Sequence, residues 1–135
     1  MIAAQVINEA VEHLVGRLRT SVLGIGMDVE TNRGVHPDAA RFFLTDSERE
    51  WLKEQPGITS SNTLLRLWTV KEAIFKADPD NGEKIIGEYI LDEPSAWAGS
   101  AYRRDCRFLQ FHYTSIQMHD GFLSIAISAK GDRNA

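Results

Sequence analysis

Residues Asn62 to Ala77, "NTLLRLWTVKEAIFKA", carry apolar side chains around several helical turns before Pro79 stops them. A helix this apolar is a buried one and needs a surface to pack on. That surface is offered by the β-patterned runs behind it, "KIIGEYIL", "RFLQFHYTSIQM" and "GFLSIAISA", the last two joined through a hairpin-like "HDG". Yet Lys71, Glu72 and Lys76 interrupt the helix. On a helical wheel Glu72, Lys76 and Thr69 fall within an arc of roughly 60°, apart from Leu67, Val70, Ile74 and Ala77. An apolar helix therefore presents one polar face.

At 135 residues the chain suits one domain, residues 1–135, with one hydrophobic core and room for one site. Apolar residues at i, i+4 spacing predict an amphipathic N-terminal helix over residues 2–19. "SVLGIGMDVE" then switches to a period near two and predicts a strand from about Val22 to Glu30, on which Asp28 and Glu30 share a face. "TNRGVHP" is a connector, "DAARFF" a short helix, and "TDSEREWLKEQ" a helix in which Thr45 and Glu48 match a capping box. "PGITSSN" offers Ser60 or Ser61 as the N-cap of the long helix from about Asn62. Residues 130–135 read as a frayed tail.

Composition narrows the function. The net charge of −4, without a Lys/Arg run, argues against nucleic acid as a partner, because phosphate neutralisation needs a concentrated basic footprint. Cys106 is the only cysteine, so neither an intrachain disulfide nor a cysteine-rich metal site can form, and a reducing cytoplasm is the expected location. No signal-peptide pattern opens the sequence, and no apolar run reaches the ~20 residues that span a bilayer, so no membrane association is expected.

Taken singly, the charged residues are ordinary. Glu72 and Lys76 make an i, i+4 pair worth ~0.2–0.5 kcal/mol on a surface, and two acids at a strand end are commonly solvated. Together they mean more. A helix packed on a sheet brings Glu72 toward Asp28 and Glu30, and two carboxylates ~4 Å apart repel by about 4 kcal/mol at an effective dielectric near 20. Such a cluster protonates, spreads or binds a cation. An all-oxygen ligand set suits Mg²⁺, which also holds substrate phosphates, and Lys71 and Lys76 are placed to meet phosphate charge. A diphosphate substrate follows.

"GIGMDVE", followed some forty residues later by "WTVKEAIFKA", resembles the paired signature of the 4′-phosphopantetheinyl transferases, G-[IV]-G/D-x-D-x-E and W-x-x-K-E-A-x-x-K. The second motif matches at Trp68, Lys71, Glu72, Ala73 and Lys76, and the resemblance covers roughly residues 22–129. It implies an α+β fold with a long helix packed against an antiparallel sheet. It implies Mg²⁺ on Asp28, Glu30 and Glu72, catalytic roles for Glu72 and Lys76, and phosphate or coenzyme A contacts from Lys76 and Lys71. The implied reaction moves phosphopantetheine from coenzyme A to a serine of an acyl or peptidyl carrier protein and releases adenosine 3′,5′-bisphosphate. Either Glu72 or a metal-bound water then takes the serine proton. This chain matches one half of the fused family members, which implies a homotrimer or a homodimer with coenzyme A between subunits.

Two features depart from the pattern. Met118 stands where short members carry a histidine that helps hold the nucleotide, and the glycine-rich stretch after the second motif reads "DPDNGEKII", with Asp78 to Gly82 in its place. His13, His36 and His112 match nothing in the signature and read as surface or packing residues. The readings that compete with a transferase are a catalytically inactive carrier- or partner-binding module of the same fold, and a Mg²⁺-dependent diphosphatase.

Overall fold

A computed structural model describes residues 4–16, 21–31 and 35–131, with only the backbone of residues 57–60. The chain builds α1 (Ala4–Gly16), β1 (Val22–Thr31), a 3-10 turn at Pro37–Ala39, α2 (Ala40–Phe43), α3 (Asp46–Lys53) and α4 (Gly57–Ala77). A second 3-10 turn at Ile86–Glu88 leads into β2 (Tyr89–Leu91), β3 (Ala98–Arg103), β4 (Cys106–Met118) and β5 (Gly121–Lys130). All strand pairs are antiparallel and the order is β1-β5-β4-β3-β2, so the fold is α+β. Among the described residues no helix is long and apolar enough to cross a membrane.

Helix α4 lies across one face of the sheet and is buried almost all round, with Leu67, Val70, Ala73 and Ile74 at 0% exposure. Its core partners include Phe43, Tyr89, Phe111, Tyr113 and Ala126. The other face is partly covered by α1, whose Leu14 packs with Leu123, Ile125 and Ile127, while Ile7, Ala10 and Val11 lie against the same cluster. Helix α1 stops short of β1, and Leu23, Ile25, Met27 and Val29 are left 42–54% exposed.

Several boundaries differ from the sequence reading. The long helix starts at Gly57 after Pro56, not at Asn62, so Ser60 and Ser61 lie inside it and neither caps it. Of the helix expected over 2–19, residues 4–16 are helical, and residues 2–3 and 17–19 lie outside the described residues. "KIIGEYIL" is a strand only at its end, the preceding turn being 3-10. Strand β3 was not expected. Lys130, read as the start of a frayed tail, pairs with Leu109 inside the sheet, while residues 132–135 lie outside the described residues. The Thr45–Glu48 capping box is present as read.

Candidate metal and phosphate site

The site is built where α4 meets β1. A Cβ at Gly24 would lie 2.2 Å from the Ala77 carbonyl oxygen, and one at Gly26 would lie 2.1 Å from that of Ala73. The two glycines of "GIGMD" thus let the helix backbone rest directly on the strand backbone. Ser128 reinforces the contact by donating to the Ala77 carbonyl at 2.6 Å. This close approach carries the next residue of that strand face, Asp28, under the helix, where it is 7% exposed.

Lys76 Nζ lies 3.0 Å from Asp28 Oδ1 and donates to the Met27 carbonyl at 3.2 Å. Asp28 Oδ2 is buried with no hydrogen-bond partner. Half-buried Glu72 stands close enough to feel both neighbouring acids. Burial first, and then the Asp28 charge, raises its pKa above the ordinary glutamate value; Lys76 opposes the rise and Glu30 adds to it. Glu30 accepts from Trp68 Nε1–H at 3.4 Å, and Trp68 is held edge-on to Phe43 at 5.0 Å. Thus Asp28, Glu30, Glu72 and Lys76 are gathered along one α4–β1 seam.

The donors are all oxygens, and one is a buried carboxylate oxygen lacking a partner, which fits a hard divalent cation. The fit is not a closed cage. Among the described residues no three His, Cys, Asp or Glu side chains converge at ligand distances, and Asp28 is instead neutralised by Lys76. An open set is compatible with Mg²⁺, which commonly takes one or two protein carboxylates and completes its shell with water and substrate phosphate.

Thr69 corrects the picture of a polar face looking outward. It is fully buried, donates to the Arg66 carbonyl at 2.7 Å, and shares a 2.8 Å hydrogen bond with Ser124, the register partner of Asp28. Lys71 is the larger correction. It does not face the cluster: its side chain is at 0% exposure, 2.7 Å from Glu48 Oε1, and also donates to the Tyr89 carbonyl. Burial lowers its pKa and the Glu48 charge and hydrogen bond oppose the drop. In this packing Lys71 cannot reach a phosphate. Glu48 carries a matching role that the capping box alone does not reveal, since its other oxygen accepts from Leu91 N–H at 2.9 Å.

Met118 packs against the cluster of Leu14, Leu123, Ile125 and Ile127, on the opposite face of the sheet from the carboxylates. His112 lies on that same outer face of β4, and His36 is exposed beside Asp38. The segment after α4 is tightly held. Asp78 accepts from Tyr89 Oη at 2.6 Å and from Arg103 Nη1 at 2.9 Å, and Asn81 Nδ2 donates to the Phe75 carbonyl at 2.9 Å. Sequence reasoning took Pro79 as the helix stop and Asp78 only as part of the altered stretch after it; the Tyr89 and Arg103 partners come from strands whose pairing no local pattern discloses. Two cavities take no seam residue into their walls. A cleft of about 190 Å³, with Arg66, Trp97 and Phe122 in its wall, opens beside Glu30, the register partner of Phe122. A larger one, about 920 Å³, lies between α2–α3 and the β2 edge.

The sequence profile of the 4′-phosphopantetheinyl transferase superfamily matches residues 24–126. Solved structures agree in fold. A holo-(acyl-carrier-protein) synthase from Bacillus anthracis, in complex with CoA (3′,5′-ADP), superposes with a TM-score of 0.59 at 19% identity over 82% of this chain and 98% of that one. The Thermotoga maritima holo-[acyl-carrier-protein] synthase gives a TM-score of 0.61 at 17% identity over 83% of this chain and 66% of that one. No curated protein sequence matches. With a profile match that includes the "GIG" strand, Asp28, Glu72 and Lys76, the chain belongs to the 4′-phosphopantetheinyl transferase superfamily.

Proposed function

We propose that the chain transfers 4′-phosphopantetheine from coenzyme A to a serine of an acyl or peptidyl carrier protein, with Mg²⁺, releasing adenosine 3′,5′-bisphosphate. The observation that carries this reading is the α4–β1 seam, where a buried Asp28 oxygen without a partner faces a glutamate of raised pKa and a lysine. Coenzyme A as donor is supported by family membership and by the ligand of the Bacillus anthracis enzyme.

Asp28 and Glu72, with Glu30 beside them, would hold Mg²⁺, which supplies Lewis-acid stabilisation of charge on the diphosphate. Lys76 has a half-exposed ammonium on a flexible stem and is the phosphate contact that remains once Lys71 is assigned to the core. Glu72 is placed to accept the serine proton as the hydroxyl oxygen forms its bond to phosphorus and the bisphosphate departs. The exposed apolar row Leu23, Ile25, Met27 and Val29 supports a homo-oligomer, a homotrimer or a homodimer, and the lone cysteine supports a cytoplasmic location.

One observation favours the inactive module. Met118, at the position where the resemblance places a histidine, packs against the outer-face cluster of Leu14, Leu123, Ile125 and Ile127 and brings no imidazole to a nucleotide. Incubation with coenzyme A, Mg²⁺ and a panel of apo carrier proteins decides. A carrier that gains the mass of one phosphopantetheinyl group supports the transferase. Bisphosphate release without any carrier indicates a diphosphatase, and tight carrier binding without either product indicates the module.

A further inference from the structure

Lys71 immediately precedes Glu72 and is turned about 100° from it around the helix axis. Its ammonium and the Glu48 carboxylate have side chains 0% and 2% exposed. Glu48 Oε1 also accepts from Thr45 N–H at 2.8 Å, its Oε2 from Leu91 N–H at 2.9 Å, and Lys71 donates in addition to the Tyr89 carbonyl. One ion pair therefore ties the N-terminus of α3, the middle of α4 and strand β2 together.

Stability alone does not account for it. Removing both charges from water is costly, and an apolar pair of similar volume commonly does as well or better. What an ion pair adds is direction, because its hydrogen bonds are satisfied at only one rotation of the helix. On the opposite side of α4 the directional contacts are the neutral Thr69–Ser124 and Ser128–Ala77 hydrogen bonds and the half-exposed Lys76–Asp28 pair, none of them a fully buried ion pair. Gly24 and Gly26 set how near the helix comes to β1, but they have no side chains with which to hold its rotation. A rotation of roughly 20° would carry a carboxylate ~5–6 Å from the axis through about 2 Å, whereas a working site tolerates about 0.5 Å.

We propose that the Glu48–Lys71 pair is the positioning device of the carboxylate seam, fixing the rotation of α4 so that Glu72 and Lys76 face Asp28. This rests on the reading that Asp28 and Glu72 share a divalent cation. Neither Glu48 nor Lys71 touches substrate or metal; both act through Glu72.

The test is Mn²⁺ affinity, measured by calorimetry well below the melting temperature, on wild type, Lys71→Met, the double variant Lys71→Met/Glu48→Gln, and Asp28→Ala. Lys71→Met leaves a buried carboxylate uncompensated and lowers Tm. The double variant removes that charge and regains much of the Tm, yet Mn²⁺ affinity stays about 10- to 100-fold below wild type, as when a ligand's supporting contacts are lost. Should neither fold, Glu48→Asp keeps both charges and shortens the arm by one methylene, with weakened Mn²⁺ binding again expected. Wild-type affinity in a folded pair variant, alongside loss in Asp28→Ala, overturns the positioning role alone. Wild type that binds no Mn²⁺ overturns both it and the metal reading.

Discussion

Asp28 is buried to 7% exposure, with one oxygen on Lys76 and the other on nothing, an arrangement that folding alone does not favour. Replacing Asp28 or Glu72 with Ala should cut metal-dependent transfer by about 100-fold or more, the scale of the several kcal/mol that a metal's charge stabilisation supplies, and leave Tm little changed. Near-wild-type rates at saturating Mg²⁺ would refute the assignment. Lys76→Ala should slow transfer, and Lys76→Glu should be worse because it adds a charge repelled by the diphosphate. If Lys76 serves only as the counter-ion of Asp28, both variants change melting curves and not rates. Glu72 also makes stability depend on pH. Its folded pKa is raised, so its contribution is favourable while it is protonated and is lost as pH rises through that raised value. Glu72→Gln should therefore melt higher than wild type at neutral pH without metal, and the gap should close as pH falls toward the ordinary carboxylate range. A constant gap would mean that burial and the neighbouring acids do not act on Glu72.

At the scale of elements, the α4–β1 contact is the part of the site that was legible in advance. The apolar helix, the Gly-containing strand and the shared face of Asp28 and Glu30 follow from periods of 3.6 and two, which are properties of single segments. What was not legible depends on neighbours. Strand β3, "AGSAYR", has little intrinsic strand preference and exists through its pairing with β4, Ala101 opposite Phe111. Lys71 looked like a phosphate ligand because it adjoins Glu72 in the sequence and matches the signature, but one residue along a helix turns the side chain about 100°, here toward α3 and Glu48. The helix start was sought at a serine cap, whereas Pro56 sets the extended entry and Gly57 begins the helix. The glycines carry a sharp prediction. Gly26→Ala would place a methyl 2.1 Å from the Ala73 carbonyl oxygen and must push α4 off β1. Overpacking of this kind costs typically ~1–3 kcal/mol, and the separation it forces should weaken Mn²⁺ binding as well. An unchanged Tm would show that the contact is not as close as described.

At the scale of the molecule, α1 covers the β4–β5 part of the outer face and leaves the β1 row bare, an apolar strip of the kind that marks an interface. Ile25→Lys, at a position already 54% exposed, should leave the isolated fold intact and dissociate the proposed oligomer in sedimentation. A wild-type monomer at micromolar concentration would contradict the assembly. Whether the α4–β1 seam is the reacting centre of a phosphopantetheinyl transferase is decided by the intact mass of an apo carrier protein incubated with coenzyme A, Mg²⁺ and either wild type or Asp28→Ala. With wild type the carrier should gain one phosphopantetheinyl group, and with the variant it should stay unmodified. Equal modification by both proteins, or by neither across a panel of fatty-acid, polyketide and peptide-synthetase carriers, would contradict that role of the seam.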